Sequence, residues 1–217
     1  MALALFDLDD TLLAGDSDYL WGRFLVERGL VESDTYEANN RKFYDDYLAG
    51  CLDIHAYLEF QLQYLAMESM ETLDRWHALF MADKVMPIVL EKGREVLAKH
   101  RQQGDTLMII TATNRFVTGP IADALGVDFI LATDPEIKEG RFTGRPEGIP
   151  CFREGKVTRL NTWLQANAMT LEGSWFYSDS HNDVPLLEMV ENPVAVDPDE
   201  KLTAIAKERG WTTTSFR

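Results

Sequence analysis

The chain has 217 residues, of which 46% are hydrophobic and 26% are charged. This is the composition of a soluble globular protein with one or two domains, and it excludes a disordered tail, a collagen and a small disulfide scaffold. The 21 basic and 36 acidic residues give a net charge of −15. This charge disfavours nucleic acids and anionic membranes as partners, because both require clustered lysine and arginine.

The two cysteines, Cys51 and Cys151, lie far apart and have no metal-ligand spacing. The N-terminal apolar run is too short for a signal peptide, and no apolar stretch approaches the roughly 20 residues of a membrane span. Together with the low cysteine content, these features predict a cytoplasmic protein. We expect a monomer or a homodimer.

The chain begins with a short apolar segment, Leu3 to Phe6, which predicts a buried strand that opens into an acidic loop. From residue 18 to residue 82 proline is absent, and aromatic and apolar residues recur at helical spacing, so that four helices are predicted. We interpret residues 16–84 as a helical domain inserted into a core that consists of residues 1–15 and 85–217.

Strands and helices alternate after Pro87. The predicted buried strands are residues 106–110, 129–131, 175–177 and 193–196. The predicted helices are residues 89–101, 116–125, 156–166, 184–190 and 200–208, and a hairpin turn is predicted at residues 139–141. This alternation predicts an α/β fold with a mostly parallel, Rossmann-like sheet that has helices on both faces. In such sheets, ligands bind at the carboxyl ends of the strands.

Acidic side chains follow two of the predicted strands. Asp7, Asp9 and Asp10 come after the first strand, and Asp179 and Asp183 come after the strand at 175–177. Carboxylates this close repel one another unless a cation or hydrogen-bond donors neutralise them, and Mg²⁺ prefers such oxygen ligands. The two clusters together predict a Mg²⁺ site. The alternative is a solvated acidic turn, with Asp10 as a helix cap.

Thr111 directly follows a buried strand, where its hydroxyl and nearby backbone N–H groups can hold a phosphate oxygen. The alternative is that Thr111 or Thr113 caps the next helix. Lys156 stands beside Gly155 at a predicted helix start, where a positive charge opposes the helix dipole and an anionic partner would remove the conflict. A solvent-facing lysine is the alternative there.

Four motifs of this chain occur in the same order as the motifs of one known family: Asp7-x-Asp9-x-Thr11-Leu12, Thr111, Gly155-Lys156 and Asp179-x-x-Asn182-Asp183. In them the chain resembles the haloacid dehalogenase-like hydrolase superfamily, in its phosphoserine-phosphatase-like branch (subfamily IB). The resemblance implies that residues 16–84 form a helical cap of the C1 type. It further implies a Mg²⁺-dependent phosphatase that forms an aspartyl-phosphate intermediate on a small phosphate ester.

The resemblance also implies roles for the motif residues. Asp7 would be the nucleophile, and Asp9 would be the general acid and then the base. Thr111 would bind the phosphoryl group, and Lys156 would stabilise both Asp7 and the phosphoryl oxygens. The implied metal-site residues are Asp7, Asp9 (through its backbone carbonyl), Asp179 and Asp183. A second aspartate at position 9 disfavours a dehalogenase, because a halide leaves without a proton whereas an alkoxide needs one.

The cap departs from that of phosphoserine phosphatases. Between Phe43 and Cys51 it lacks the arginine that binds the substrate carboxylate in those enzymes, and it is rich in aromatic residues, which accept imidazole or organic cations. We therefore expect an amine- or imidazole-bearing substrate rather than phosphoserine. The resemblance implies that Asp16 lies near the substrate amine. The candidate substrate-binding residues are Asp16, Thr113, Asn114, Arg115, His181 and Asn182, with Arg41 as a further candidate.

Two other functions are compatible with these residues. A phosphotransferase would pass the same phosphoryl group to an alcohol, and products formed with added alcohols would reveal it. A non-catalytic phosphate-binding protein would release no phosphate from an aryl phosphate in the presence of Mg²⁺.

Overall fold

The apolar segments of the chain form one seven-stranded sheet in a computed structural model that describes residues 2–217, apart from the side chain of Ser33. The strands are β1 (Leu3–Phe6), β2 (Thr106–Asn114), β3 (Phe129–Lys138), β4 (Arg141–Glu147), β5 (Trp175–Ser178), β6 (Asn192–Val196) and β7 (Thr212–Thr214). Their order is β4-β3-β2-β1-β5-β6-β7. All neighbouring strands are parallel except β3 and β4, which form the predicted hairpin. The predicted α/β fold is confirmed.

Helices connect most of these strands. They are α1 (Ser17–Glu27), α2 (Ser33–Ala49), α3 (Ile54–Ala66), α4 (Met70–Phe80), α5 (Glu91–Gln103), α6 (Arg115–Leu125), α7 (Glu154–Asn167), α8 (Val184–Leu187) and α9 (Glu200–Arg209). A π-helical turn, Met81–Val85, and a 3₁₀ turn, Met86–Ile88, follow α4, and a second 3₁₀ turn, His181–Asp183, precedes α8.

The sheet has a hydrophobic core on each face, because successive strand residues point to opposite sides. In β1, Ala4 and Phe6 pack with residues of α5 and α6, whereas Leu3 and Leu5 pack with residues of α7, α8 and α9. Helices therefore cover both faces, as predicted. Strand β1 is buried throughout, and the neighbouring strands β2 and β5 are buried over most of their length.

Helices α1 to α4 lie between β1 and β2 in the chain, and the segments that lead into and out of them run side by side. Leu13 pairs with Val89 in an isolated antiparallel bridge, and the N–H of Leu90 donates to the Leu12 carbonyl at 3.0 Å. Both predicted domain boundaries, residues 16 and 84, lie on the helical side of this bridge. The division into a core and a cap domain at these residues stays a prediction.

Three elements differ from the sequence-based expectation. Strand β2 continues four residues past 110, because β3 runs alongside it and pairs Asn114 with Thr133. The helix predicted at 184–190 is shorter and follows a 3₁₀ turn. Strand β7 was not predicted, because its three threonines are exposed at the sheet edge and show no buried pattern. Within residues 2–217, no helix is long and apolar enough to span a membrane.

Candidate active site

The carboxyl ends of β1, β2 and β5 bring the polar motifs to one edge of the sheet. These three strands are neighbours, since Phe6 of β1 is in register with Ile109 of β2 on one side and with Tyr177 of β5 on the other. The N–H of Asp7 donates to the Tyr177 carbonyl at 2.8 Å and thus continues the pairing beyond β1. Residues that are more than 100 positions apart in the sequence meet at this edge.

Asp7, Lys156 and Asp183 form a buried charged triad. The Lys156 ammonium lies 2.7 Å from Asp7 Oδ1 and 2.7 Å from Asp183 Oδ1, and Ser178 Oγ donates to Asp183 Oδ2 at 2.7 Å. Burial, with the Asp183 and Asp9 carboxylates, raises the pKa of Asp7 to about 7 against the opposing effect of Lys156. Burial lowers the pKa of Lys156, but the Asp183 and Asp7 carboxylates outweigh it and hold the pKa above its usual range. Lys156 is therefore a fixed positive charge beside Asp7.

The backbone before Lys156 explains how a lysine at a helix start reaches inward. Helix α7 begins at Glu154, and a Cβ added at Gly155 would lie only 2.0 Å from the carbonyl oxygen of Pro150. Only glycine permits this approach of two backbone segments. The first turn of α7 thus packs tightly against the preceding loop, and Lys156 is only 3% exposed.

Asp9 is held by two donors on opposite sides. The N–H of Ser17 donates to Asp9 Oδ1 at 2.7 Å, and Thr113 Oγ1 donates to Asp9 Oδ2 at 2.8 Å. Burial nevertheless raises the pKa of the Asp9 carboxyl above its usual value. A carboxylic acid that keeps its proton to higher pH is suited to donate that proton to a leaving group.

Asp179 is oriented by Thr11 of the first motif. The Thr11 hydroxyl donates to Asp179 Oδ1 and accepts from the Asp179 N–H, both at 3.0 Å. Burial raises the pKa of Asp179 well above its usual value, and the carboxylates of Asp7, Asp10 and Asp183 raise it further. Asp7 is thus the neighbouring carboxylate that most disfavours ionisation of Asp179.

The excess of negative charge fits a divalent cation. The Lys156 ammonium pairs with Asp7 and Asp183, whereas Asp179 contacts the Thr11 hydroxyl. The raised pKa values of Asp7 and Asp179 express the cost of burying these anions without further positive charge. Within residues 2–217, no three acidic, histidine or cysteine side chains form a ligand set by themselves. A site for Mg²⁺ does not require three, because this ion is commonly held by one or two carboxylates and keeps several waters.

A cavity of about 550 Å³, including its mouth, lies between these motifs and the helices α1 to α3. Asp7, Asp9, Thr111, Ala112 and Thr113 form its base. The rest of the lining comes from the helical segment and is mostly aromatic: Asp16, Tyr19, Asn40, Phe43, Tyr44, Tyr47, Leu52, Ile54 and Tyr57. No lysine or arginine is among the described residues that line the cavity, so it offers carboxylates, hydroxyls and aromatic rings.

Asp16 lines the cavity and also begins α1. Its Oδ1 accepts from the N–H of Tyr19 at 2.7 Å, as a helix N-cap does. Burial raises the pKa of Asp16 well above its usual value, with contributions from Asp9, Asp18 and Asp10. A bound cation would favour the ionised form of Asp16 over the protonated form.

Five other candidate substrate-binding residues lie outside the lining of this cavity, and their role in substrate binding stays a prediction. Arg115 pairs with Asp134 and donates to the Ile130 carbonyl, because β3 brings both beside the start of α6. Asn114 caps α6 by accepting from the N–H of Val117. The remaining pairs are His181 with Asp199, Asn182 with Arg153, and Arg41 with Asp45.

A buried polar network lies behind the cavity wall and is not among the sequence-based predictions. The Tyr57 hydroxyl donates to Asp18 Oδ2 at 2.5 Å, and Asn114 Nδ2 donates to Asp18 Oδ1 at 3.3 Å. Gln61 donates to both the Tyr57 hydroxyl and Asn40 Oδ1 at 3.2 Å. Asp18 is 2% exposed, and burial raises its pKa to about 7. The one feature of the sequence that indicates this network is the acidic residue two positions after Asp16, which lies on the buried side of α1.

Comparison with known proteins agrees with the site geometry. The model of the haloacid dehalogenase-like hydrolase family matches residues 4–188. A histidinol-phosphatase of Neisseria meningitidis is 44% identical, with 99% of each chain covered. A phosphoserine phosphatase of Mycobacterium tuberculosis is 31% identical over all of this chain and 71% of its own length.

Two solved structures share the fold. A Bordetella pertussis protein of unknown function superposes with a TM-score of 0.94 at 45% identity, and the match covers 100% of this chain and 99% of that one. A substrate-bound phosphoserine phosphatase superposes with a TM-score of 0.72 at 17% identity, over 100% and 93% of the two chains. On the family match and these relatives, the chain belongs to the haloacid dehalogenase-like hydrolase family and is one of its phosphatases.

Proposed function

We propose that the protein hydrolyses the phosphate monoester of a small amine- or imidazole-bearing alcohol, with Mg²⁺ as cofactor and an aspartyl-phosphate on Asp7 as intermediate. The observation that carries the proposal is the Asp7 carboxylate, which lines the cavity and lies 2.7 Å from a lysine that stays charged. A carboxylate can attack phosphorus only where positive charge offsets the repulsion between two anions.

The proposed reaction has two steps. First, a carboxylate oxygen of Asp7 forms a bond to phosphorus while the bond to the alcohol oxygen breaks, and Asp9 gives its proton to that oxygen. Then Asp9 takes a proton from water as the water oxygen attacks phosphorus and frees Asp7. Lys156 offsets the phosphoryl charge, and Thr111 donates to a phosphoryl oxygen. Mg²⁺, held by Asp7, Asp179 and the Asp9 carbonyl with Asp183 in support, would supply the remaining positive charge.

Asp9→Asn is expected to affect substrates according to their leaving groups. Hydrolysis of alkyl phosphates should fall by about 10²- to 10⁴-fold, because an alkoxide needs a proton to leave. Formation of the intermediate from p-nitrophenyl phosphate should fall much less, since nitrophenolate leaves without protonation. Pre-steady-state release of nitrophenol measures this step, and an equal loss for both substrates would contradict the role of Asp9 as the acid.

The cavity chemistry supports the proposed substrate class. Asp16 provides a carboxylate for an ammonium group, and Tyr19, Phe43, Tyr44 and Tyr57 provide aromatic faces for a ring or cation. Phosphoserine carries an additional carboxylate, which the lining would repel because it contains no basic residue among those described. The 44% identity to a histidinol-phosphatase agrees with a substrate that has an amine and an imidazole but no carboxylate.

A screen of phosphate esters tests the proposed function. Phosphate release in Mg²⁺ should be fastest with histidinol phosphate, much slower with phosphoserine, and abolished by EDTA. Asp16→Asn should lower kcat/KM for histidinol phosphate by about 10- to 100-fold, the usual effect of losing a hydrogen bond to a charged group, and affect p-nitrophenyl phosphate much less. Activity that persists in EDTA, or equal use of phosphoserine, would contradict the proposal.

The cytoplasmic location, the monomeric or homodimeric state, and the lack of nucleic-acid and membrane partners stay predictions.

A further inference from the structure

Helix α2 ends against the core of the protein rather than in solvent. The last carbonyl groups of a helix have no partner within it, and they form the negative end of its dipole. The last turn of α2 has no basic residue of its own. Its carbonyls instead accept from side chains far along the chain: Asn182 Nδ2 donates to Tyr47, Lys201 Nζ donates to Ala49 at 2.8 Å, and Arg153 Nη2 donates to Gly50. We call these three side chains the α2 clamp.

The approach of α2 to the core is unusually close at Gly50. This residue is left-handed, with φ of 77°, and a Cβ added to it would lie 2.6 Å from His181 Nε2. His181 is itself fixed, because its Nδ1 lies 2.7 Å from Asp199 Oδ2. Glycine is therefore required for both conformation and space, and the end of α2 is seated on the loop that follows β5.

Arg153 is the member of the clamp that joins the cap helix to the catalytic loops. Its Nε and Nη2 donate to Asn182 Oδ1 at 2.9 and 2.8 Å, while Nη2 also donates to the Gly50 carbonyl. Asn182 precedes Asp183, and Arg153 lies three residues before Lys156. The two loops that supply the Lys156–Asp183 ion pair thus also supply the contact to α2.

The backbone of Arg153 has a conformation that favours glycine, with φ of 49° and ψ of −118°. A non-glycine residue in such a region is strained, and strained residues cluster at functional sites. An arginine side chain therefore persists at a position where glycine would be more stable. The hydrogen bonds of this side chain to Asn182 and to the Gly50 carbonyl offset the backbone strain.

Tyr47 connects the clamp to the cavity. It lies in the last turn of α2, lines the cavity, and its carbonyl is one of those held by the clamp. We propose that Arg153 is a positioning residue that, through Asn182 and the Gly50 carbonyl, fixes the end of α2 and so holds Tyr47 over the site of phosphoryl transfer. This inference rests on the proposed function, and it assigns Arg153 to substrate affinity rather than to the chemical step.

Arg153→Gly separates this role from a structural one, because it removes the Arg153 side chain from the clamp and relieves the backbone strain. We expect the midpoint of thermal unfolding to stay equal or rise. KM for p-nitrophenyl phosphate should rise about tenfold, as expected when a hydrogen bond from a charged group is lost, and kcat should fall by less. Hydrogen exchange at the Gly50 and Cys51 amides should accelerate by a similar factor.

Lys201→Met provides a second variant that keeps the fold, since Lys201 is exposed on α9, and Lys207→Met on the same helix is its matched control. Like Arg153→Gly, Lys201→Met should raise KM and accelerate hydrogen exchange at the Gly50 and Cys51 amides. Lys207→Met should change neither quantity. Unchanged KM in Arg153→Gly and Lys201→Met overturns the inference, whether or not exchange accelerates. Failure of the proposed function looks different, because it would appear in the wild-type protein as activity that persists in EDTA, as equal use of phosphoserine, or as no phosphate release.

Discussion

Replacing Asp7 with asparagine should reduce turnover of every phosphate ester by a factor on the order of 10⁴ or more, because the amide cannot form an acyl phosphate. The change preserves the size of the side chain and removes one negative charge from the group that contains Lys156 and Asp183. The folded state should therefore survive. Steady-state phosphate release and the midpoint of thermal unfolding measure the two effects separately.

The matched control for this variant is Asp10→Asn in the same loop. Asp10 pairs with Arg217 and is not among the residues that line the cavity. We expect this variant to retain most of its turnover. If Asp7→Asn retained turnover comparable to that of Asp10→Asn, another group would have to be the nucleophile.

Lys156→Met should be the most destabilising single change at the site. It leaves the Asp7 and Asp183 carboxylates buried without their counter-charge, and breaking a buried ion pair in this way typically costs about 3–5 kcal/mol. Urea unfolding in EDTA, which keeps a divalent cation from replacing the lost charge, measures the change in the free energy of unfolding. Turnover should be lost as well, since the phosphoryl group loses its fixed positive neighbour.

Adding Asp183→Asn to Lys156→Met should recover part of the lost stability, because the double variant has one buried anion fewer. The control is Lys84→Met, which breaks an ion pair with Glu27 at the surface and should cost about 1 kcal/mol or less. If Lys156→Met lowered the free energy of unfolding by less than about 1 kcal/mol, the buried ion pair would contribute no more to stability than such a surface pair.

The strand ends were the part of the site that sequence reasoning could place. Asp7, Thr111 and Asp179 each lie at or just after the end of an apolar run, and parallel neighbouring strands present such positions at one edge. The resemblance to a known family, carried by the order of the motifs, then implied Lys156 as their partner. Local pattern, topology and this resemblance were sufficient here, because each of these residues is fixed by the strand or helix on which it lies.

The remaining side chains depend on packing that no local pattern encodes. Arg115 had the same sequence signal as a substrate-binding residue, but β3 places Asp134 beside it. Asp18 lies on the buried side of α1 only because α3 brings the Tyr57 hydroxyl to it. The conformation of Arg153 has no sequence signal at all, since arginine is an unexpected residue at positive φ.

Acid-quenched single turnover of the wild-type protein with a ³²P-labelled ester tests the central claim, covalent capture of the phosphoryl group by Asp7, most directly. The account predicts label in the protein, released by hydroxylamine as expected for an acyl phosphate, and located by peptide mass spectrometry on Asp7. Label on another residue, or phosphate release with no labelled protein at any quench time, would contradict it.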